Sequence, residues 1–126
     1  MKSKSFCIDK KTKHIFIYAG DTASMTVKVR GYDFQASDRA LFTVSEKDSG
    51  EAVIEKVFTI VNNRFAVPFY VDDTNWLDPE AEYEWDVRFI VDPEYDEHGK
   101  IVSRDWVTTP GSPYKFTVKK NVGRNV

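Results

Sequence analysis

Residues 82–92 alternate between apolar and charged positions. Tyr83, Trp85, Val87, Phe89 and Val91 fall on one parity, Glu82, Glu84, Asp86 and Arg88 on the other, and Ile90 alone breaks the pattern. Successive side chains of a strand point to opposite faces, so this period of two places the aromatic and aliphatic groups against a core and the charges in water. A helix would scatter the same residues around its circumference. The stretch therefore predicts an antiparallel strand near the centre of a sheet protein.

Shorter runs of the same kind flank it. His14–Ala19 reads as a strand closed by a Gly20-Asp21 turn, and Ala23–Arg30 alternates with Met25, Val27 and Val29 on one face. Ala40–Ser45 puts Ala40, Phe42 and Val44 inward, the Ser49-Gly50 loop follows, and Ala52–Ile60 returns. Asn62-Asn63 turns the chain into Arg64–Val71, where Pro68 cannot donate to a ladder and so predicts an edge strand or bulge. A single helical turn near 73–77 with an Asp or Thr cap comes next, and Trp76 is expected to cap one end of the core. After the central strand, 92–99 reads as an acidic loop. Ile101–Val107 and Tyr114–Lys119 are the last strands, separated by a Pro/Gly loop.

Strands at this spacing predict an all-β fold, an antiparallel β-sandwich of about seven to eight strands. One local pattern favours an immunoglobulin-like sandwich. Leu77-Asp78-Pro79-Glu80-Ala81-Glu82-Tyr83 resembles the Leu-x-Pro-x-x-x-Tyr stretch of fibronectin type III domains. In that motif the tyrosine opens a strand and bonds through its hydroxyl to the preceding corner. The expected domain layout is a basic N-terminal arm or edge strand at 1–13, a sandwich at 14–119 and a polar tail at 120–126.

Composition narrows the function classes. The chain has 126 residues, 41% hydrophobic and 14% aromatic, which suits one domain with an ordinary core. A net charge of −2 gives no general pull toward nucleic acid or an anionic membrane. Cys7 has no second cysteine to pair with, which fits a reducing compartment. Phe6-Cys7-Ile8 is too short for a signal-peptide core, so synthesis in the cytoplasm without a signal peptide is expected.

Candidate chemistry is sparse. His14 and His98 have no partners at ligand or triad spacing. Asp92, Glu94 and Asp96 echo the opening of an EF-hand loop, but Glu97 replaces the turn glycine and the later glutamate is missing; any metal there would be weakly held by oxygens. Glu82, Glu84 and Asp86 read as the wet side of a sheet rather than a glycosidase pair. No Gly-x-Ser-x-Gly elbow or phosphate loop occurs, no cofactor is implied, and an enzyme is not expected. Trp85 is assigned to the core, with Leu77 and Tyr83 as structural residues. Trp106, Tyr95 and Tyr114 are the candidate interface residues, able to anchor a protein partner or, in an alternative reading, to stack on a sugar in a carbohydrate-binding or host-adhesion module.

The order of short motifs along the whole chain resembles small structural proteins encoded by phages and prophages, similar to the N-terminal domain of phage upper-baseplate proteins. The matching elements are Gly20-Asp21-Thr22 between two strands, Tyr32-Asp33-Phe34, Ala40-Leu41-Phe42-Thr43-Val44, Ile54-Glu55-Lys56, Asp73-Thr74, Tyr83-Glu84-Trp85-Asp86-Val87 and Lys115-Phe116-Thr117-Val118. Ala19 stands where the pattern usually has Arg before Gly-Asp-Thr, and 92–99 is longer and more acidic than the pattern. The resemblance implies an immunoglobulin-like sandwich without catalysis, a component of a virion tail, baseplate or head decoration. It implies other virion proteins as partners, with homo-oligomerisation plausible and no nucleic acid or membrane.

Overall fold

The computed structural model describes residues 6–108 and 112–120, and for 92, 93 and 101–108 the backbone only. The outer parts of the expected arm (1–5) and tail (121–126) lie outside the described residues. The strands are β1 (Phe6–Ile8), β2 (Ile15–Tyr18), β3 (Ala23–Lys28), β4 (Arg39–Glu46), β5 (Ala52–Thr59), β6 (Arg64–Phe69), β7 (Tyr83–Tyr95), β8 (Ile101–Thr108) and β9 (Tyr114–Lys119). The helical turn α1 spans Val71–Thr74, slightly earlier than the spacing predicts.

Two layers form a β-sandwich. The larger sheet has the order β1-β2-β9-β7-β4-β5, with β8 also on β7; the smaller layer is β3 with β6. β7 runs antiparallel to β4 along one side. On its other side β9 pairs with Tyr83–Trp85 and β8 with Arg88–Tyr95, so β8 and β9 form one interrupted line. β2 lies parallel to β9, the one parallel pair among these strands. An opening strand beside the closing one, with β3 and β6 in the opposite layer, is an immunoglobulin-like arrangement. β1 joins the sheet through Phe6, Cys7 and Ile8, so the second half of the basic arm belongs to the domain as an edge strand and turn.

The alternating pattern fills the space between the layers. Ile15, Ile17, Ala40, Phe42, Val44, Tyr83, Trp85, Val87, Phe89, Phe116 and Val118 of the larger sheet are all buried, as are Met25, Phe65, Val67 and Phe69 of the smaller. Phe69 is the hub. Its ring centroid is 5.7 Å from both Phe6 and Phe42 and 6.0 Å from Phe116, so one side chain joins β1, β4 and β9 across the sandwich. Burying a ring of this size stabilises the fold by about 1.5–3 kcal/mol. Ile90, on the other parity, is also buried but stands outside this cluster.

Turn chemistry follows the sequence closely. Asn62 (φ 52°) and Asn63 (φ 57°) both adopt left-handed backbone between the bridged Val61 and Arg64, as a type I′ turn requires. Gly20, at φ 81°, makes the β2–β3 turn, and its N–H donates to Thr74 Oγ1 at 3.0 Å, tying that turn to α1. Pro68 lies in β6, whose ladder partner is β3, in line with the expected edge strand.

One region differs from the sequence expectation. Residues 92–95 are strand rather than loop: β7 continues to Tyr95 and the turn shrinks to 96–99 around Gly99 at φ 80°. The three steps along β7 from Val91 to Glu94 face two steps along β8, and the next step reverses the imbalance. A bulge leaves a backbone group unpaired, so Pro93 is accommodated there without costing a ladder bond.

Candidate functional site

The structural residues stand where the motif places them. Leu77 and Tyr83 are buried, and the Tyr83 hydroxyl accepts the Asp78 N–H at 2.9 Å, forming the expected tyrosine corner. Trp85 is buried, and its indole N–H donates to the Lys13 carbonyl at 2.9 Å.

Two of the interface candidates, Tyr95 and Tyr114, do not converge. Tyr114 packs on Trp85 with centroids 5.0 Å apart and is half-buried. Tyr95 is exposed, with its hydroxyl 3.4 Å from the Ser37 carbonyl. Tyr114 pairs with Trp85 while Tyr95 lies at the far end of β7, about 30 Å along the strand at strand rise. Trp106 pairs with Ile90 in the ladder, and its side chain lies outside the described residues. Tyr95 and Tyr114 therefore share no platform for a sugar ring.

The acidic stretch is organised for a turn. Asp96 Oδ1 accepts the N–H groups of His98 (2.8 Å) and Lys100 (2.9 Å), closing the hairpin tip. Glu94 is exposed, and the side chain of Asp92 lies outside the described residues. No group of three metal-ligating side chains occurs among the described residues. Glu82 reaches Lys47 at 3.5 Å on the surface, a contact of small energetic weight. Burial pushes the Asp86 carboxyl up from its ordinary value, opposed by Arg88. His14 stacks on Phe16 (3.9 Å between centroids) and its Nε2 lies 2.6 Å from Thr117 Oγ1, on the outer face of the larger sheet. Cys7 is exposed on β1, opposite Phe16.

Two surface features emerge that the sequence did not single out. The first surrounds α1. Tyr70 (59%), Val71 (46%) and Trp76 (59%) are all well exposed within seven residues of chain. This overturns the expectation that Trp76 caps the core. Leu77, fixed inward by the tyrosine-corner motif, takes the core position, and its neighbour is left facing out. That adjacency is the sequence signal that identifies Trp76 as a surface residue. The ledge is braced from below. Lys56 Nζ donates to the Pro68 carbonyl and to Asp73 Oδ2, both at 2.7 Å, and sits 4.7 Å from the centroid of the Tyr70 ring. Asp73 Oδ2 also accepts the Tyr70 N–H, and the Trp76 indole N–H donates to the Asp72 carbonyl at 3.0 Å. Scattered exposed apolar side chains are ordinary; a tryptophan and a tyrosine flanking one helical turn, each contacting the groups that hold it, are less so.

The second feature is a groove beside β3, enclosing roughly 600 Å³. Its floor is apolar, formed by Val27, Trp85, Val87, Phe89 and Tyr114, and its rim carries Lys10, Lys13, Lys28 and Arg30. Comparison of the chain with family models, with curated proteins and with solved structures returns no match.

Proposed function

We propose that this protein is a non-enzymatic structural module of a phage particle that works by docking on neighbouring protein subunits. The observation that carries the reading is the ledge of Tyr70, Val71 and Trp76, braced by Lys56 and Asp73. Trp and Tyr are the residues most enriched among those that dominate binding energy at protein interfaces. Ordered side chains lose little conformational freedom on binding, so a braced ledge is pre-organised for a protein partner. The sequence resemblance to phage baseplate-type modules supplies the particle context, and an immunoglobulin-like sandwich suits that role without specifying it.

The test is particle composition. Virions carrying this gene, purified by density banding, are predicted to contain the chain at a fixed copy number that resists salt washing. Its consistent absence from infectious, purified particles would refute the proposal.

A further inference from the structure

β3 offers a sheet edge that no other described strand covers. Among the described residues β3 pairs with β6 alone. Just beyond β3, the Val29 N–H donates to the Asn63 carbonyl, on the β6 side. Backbone groups alternate sides along an antiparallel ladder, so the odd-numbered residues face β6. The N–H and C=O groups of Ser24, Thr26 and Lys28 therefore point away from it, and Thr26 and Lys28 line the groove. An edge of this kind is a template for an added strand.

The groove supplies what an added strand needs besides a ladder. Its floor of Val27, Trp85, Val87, Phe89 and Tyr114 can take apolar side chains at alternate positions. Its rim sets the charge of the occupant. Lys10, Lys13, Lys28 and Arg30 are all exposed, and among the described residues none lies within ion-pair distance of a carboxylate. The nearest acids in sequence, Asp9 and Asp33, form no ion pair with them. Asp9 Oδ1 is engaged by the N–H groups of Lys11 and Thr12, and Asp33 lies on the surface without lining the groove. The terminal segments of the chain do not match this rim: residues 1–5 and 121–126 contain Lys2, Lys4 and Arg124 and no acidic side chain.

We propose that the β3 edge is a strand-addition site for an extended acidic segment of a partner protein, with apolar side chains at every second position and carboxylates between them. The apolar side chains enter the groove over Trp85, and the carboxylates meet Lys10, Lys13, Lys28 and Arg30. None of the groove residues named here belongs to the Tyr70–Trp76 ledge, so this site stands or falls separately from it.

The experiment uses the full chain and two synthetic eight-residue peptides, one alternating glutamate with valine, the other alternating lysine with valine. Backbone amide resonances and the Trp85 indole N–H resonance are followed on titration. The glutamate peptide is expected to shift and protect the amides of Ser24, Thr26 and Lys28 and to shift the Trp85 indole resonance. The lysine peptide is expected to do neither. Raising salt to half-molar, or combining Lys28→Glu with Arg30→Glu, is expected to weaken glutamate-peptide binding by roughly tenfold or more. The salt arm holds even if the double variant folds poorly. Equal binding of both peptides, or undisturbed β3 amides at millimolar glutamate peptide, overturns the proposal. So does protection of the same edge by self-association of the free chain, which would assign it to a second copy.

Discussion

The indole N–H of Trp85 donates to the backbone carbonyl of Lys13 at 2.9 Å, joining residues 72 positions apart. Trp85 belongs to the central strand, and Lys13 to the turn between β1 and β2. This one bond ties the edge hairpin to the middle of the sheet. It also fixes the part of the groove where floor meets rim, since both residues line it. Trp85→Phe keeps an aromatic ring but removes the donor and part of the volume. We expect a loss of about 2–4 kcal/mol in urea unfolding, combining a partly vacated core site with an unsatisfied carbonyl. Amides of residues 9–14 are expected to exchange faster in the variant, which a change confined to core volume would not produce.

Tyr83→Phe tests the corner in isolation. The ring stays buried while the hydroxyl that accepts the Asp78 N–H disappears. The expected cost is about 1–2 kcal/mol, the scale for leaving a partly buried donor without its partner. An unchanged midpoint would mean that the corner contributes nothing to stability.

Lys56 should matter more than its place on an edge strand suggests. It joins β5 to the Pro68 carbonyl and the Asp73 carboxylate, with side chains only 17% and 20% exposed in the pair. Lys56→Met preserves the apolar stem and removes the charge. The predicted loss is about 1–3 kcal/mol, because the carboxylate and carbonyl lose a charged partner while remaining partly buried. Hydrogen exchange of the Tyr70 and Asp73 amides is expected to accelerate, reporting a loosened α1.

His14 gives the fold a dependence on acid. Burial, with Lys115 and Lys119 nearby, holds its imidazole below the ordinary value of 6.5, and Asp9 pulls the other way. The unfolded chain therefore takes up this proton at a higher pH than the folded chain does. Stability is retained above about pH 6.5 and falls as pH drops from there toward the lowered folded value, below which this contribution levels off. Melting temperature measured from pH 7 to 5 is expected to fall less steeply in His14→Gln, which cannot titrate. Identical slopes would contradict the assignment.

The sandwich was legible because most of its strands carry a period of two. Tyr83 to Val91 reads directly as one buried face, and Leu77-x-Pro79-x-x-x-Tyr83 gives the corner down to its hydrogen bond. Asn62-Asn63 likewise signals a tight turn, because asparagine tolerates left-handed backbone. The continuation of β7 through Asp92-Pro93-Glu94 was hidden. Acidic residues and proline read locally as a loop, and only the opposing strand β8 supplies the bulged partner that makes them strand. The ledge was hidden for a related reason. Trp76 looks like a core residue by its size, and its exposure follows from Leu77 occupying the interior beside it. The groove has no local signature, since it is assembled from β3, the β1–β2 turn and residues of β7 and β9.

Incorporation of surface variants into particles tests the docking role most directly. Tyr70→Ala combined with Trp76→Ala removes two side chains that are each 59% exposed, together with the Lys56–Tyr70 ring contact and the Trp76–Asp72 hydrogen bond, so folding stability should fall by no more than about 2 kcal/mol. Supplied to phage lacking the gene, the wild-type chain is predicted to reappear in banded particles at its full copy number. The folded double variant should be reduced at least severalfold. Equal incorporation of the two chains would contradict the ledge as the docking surface.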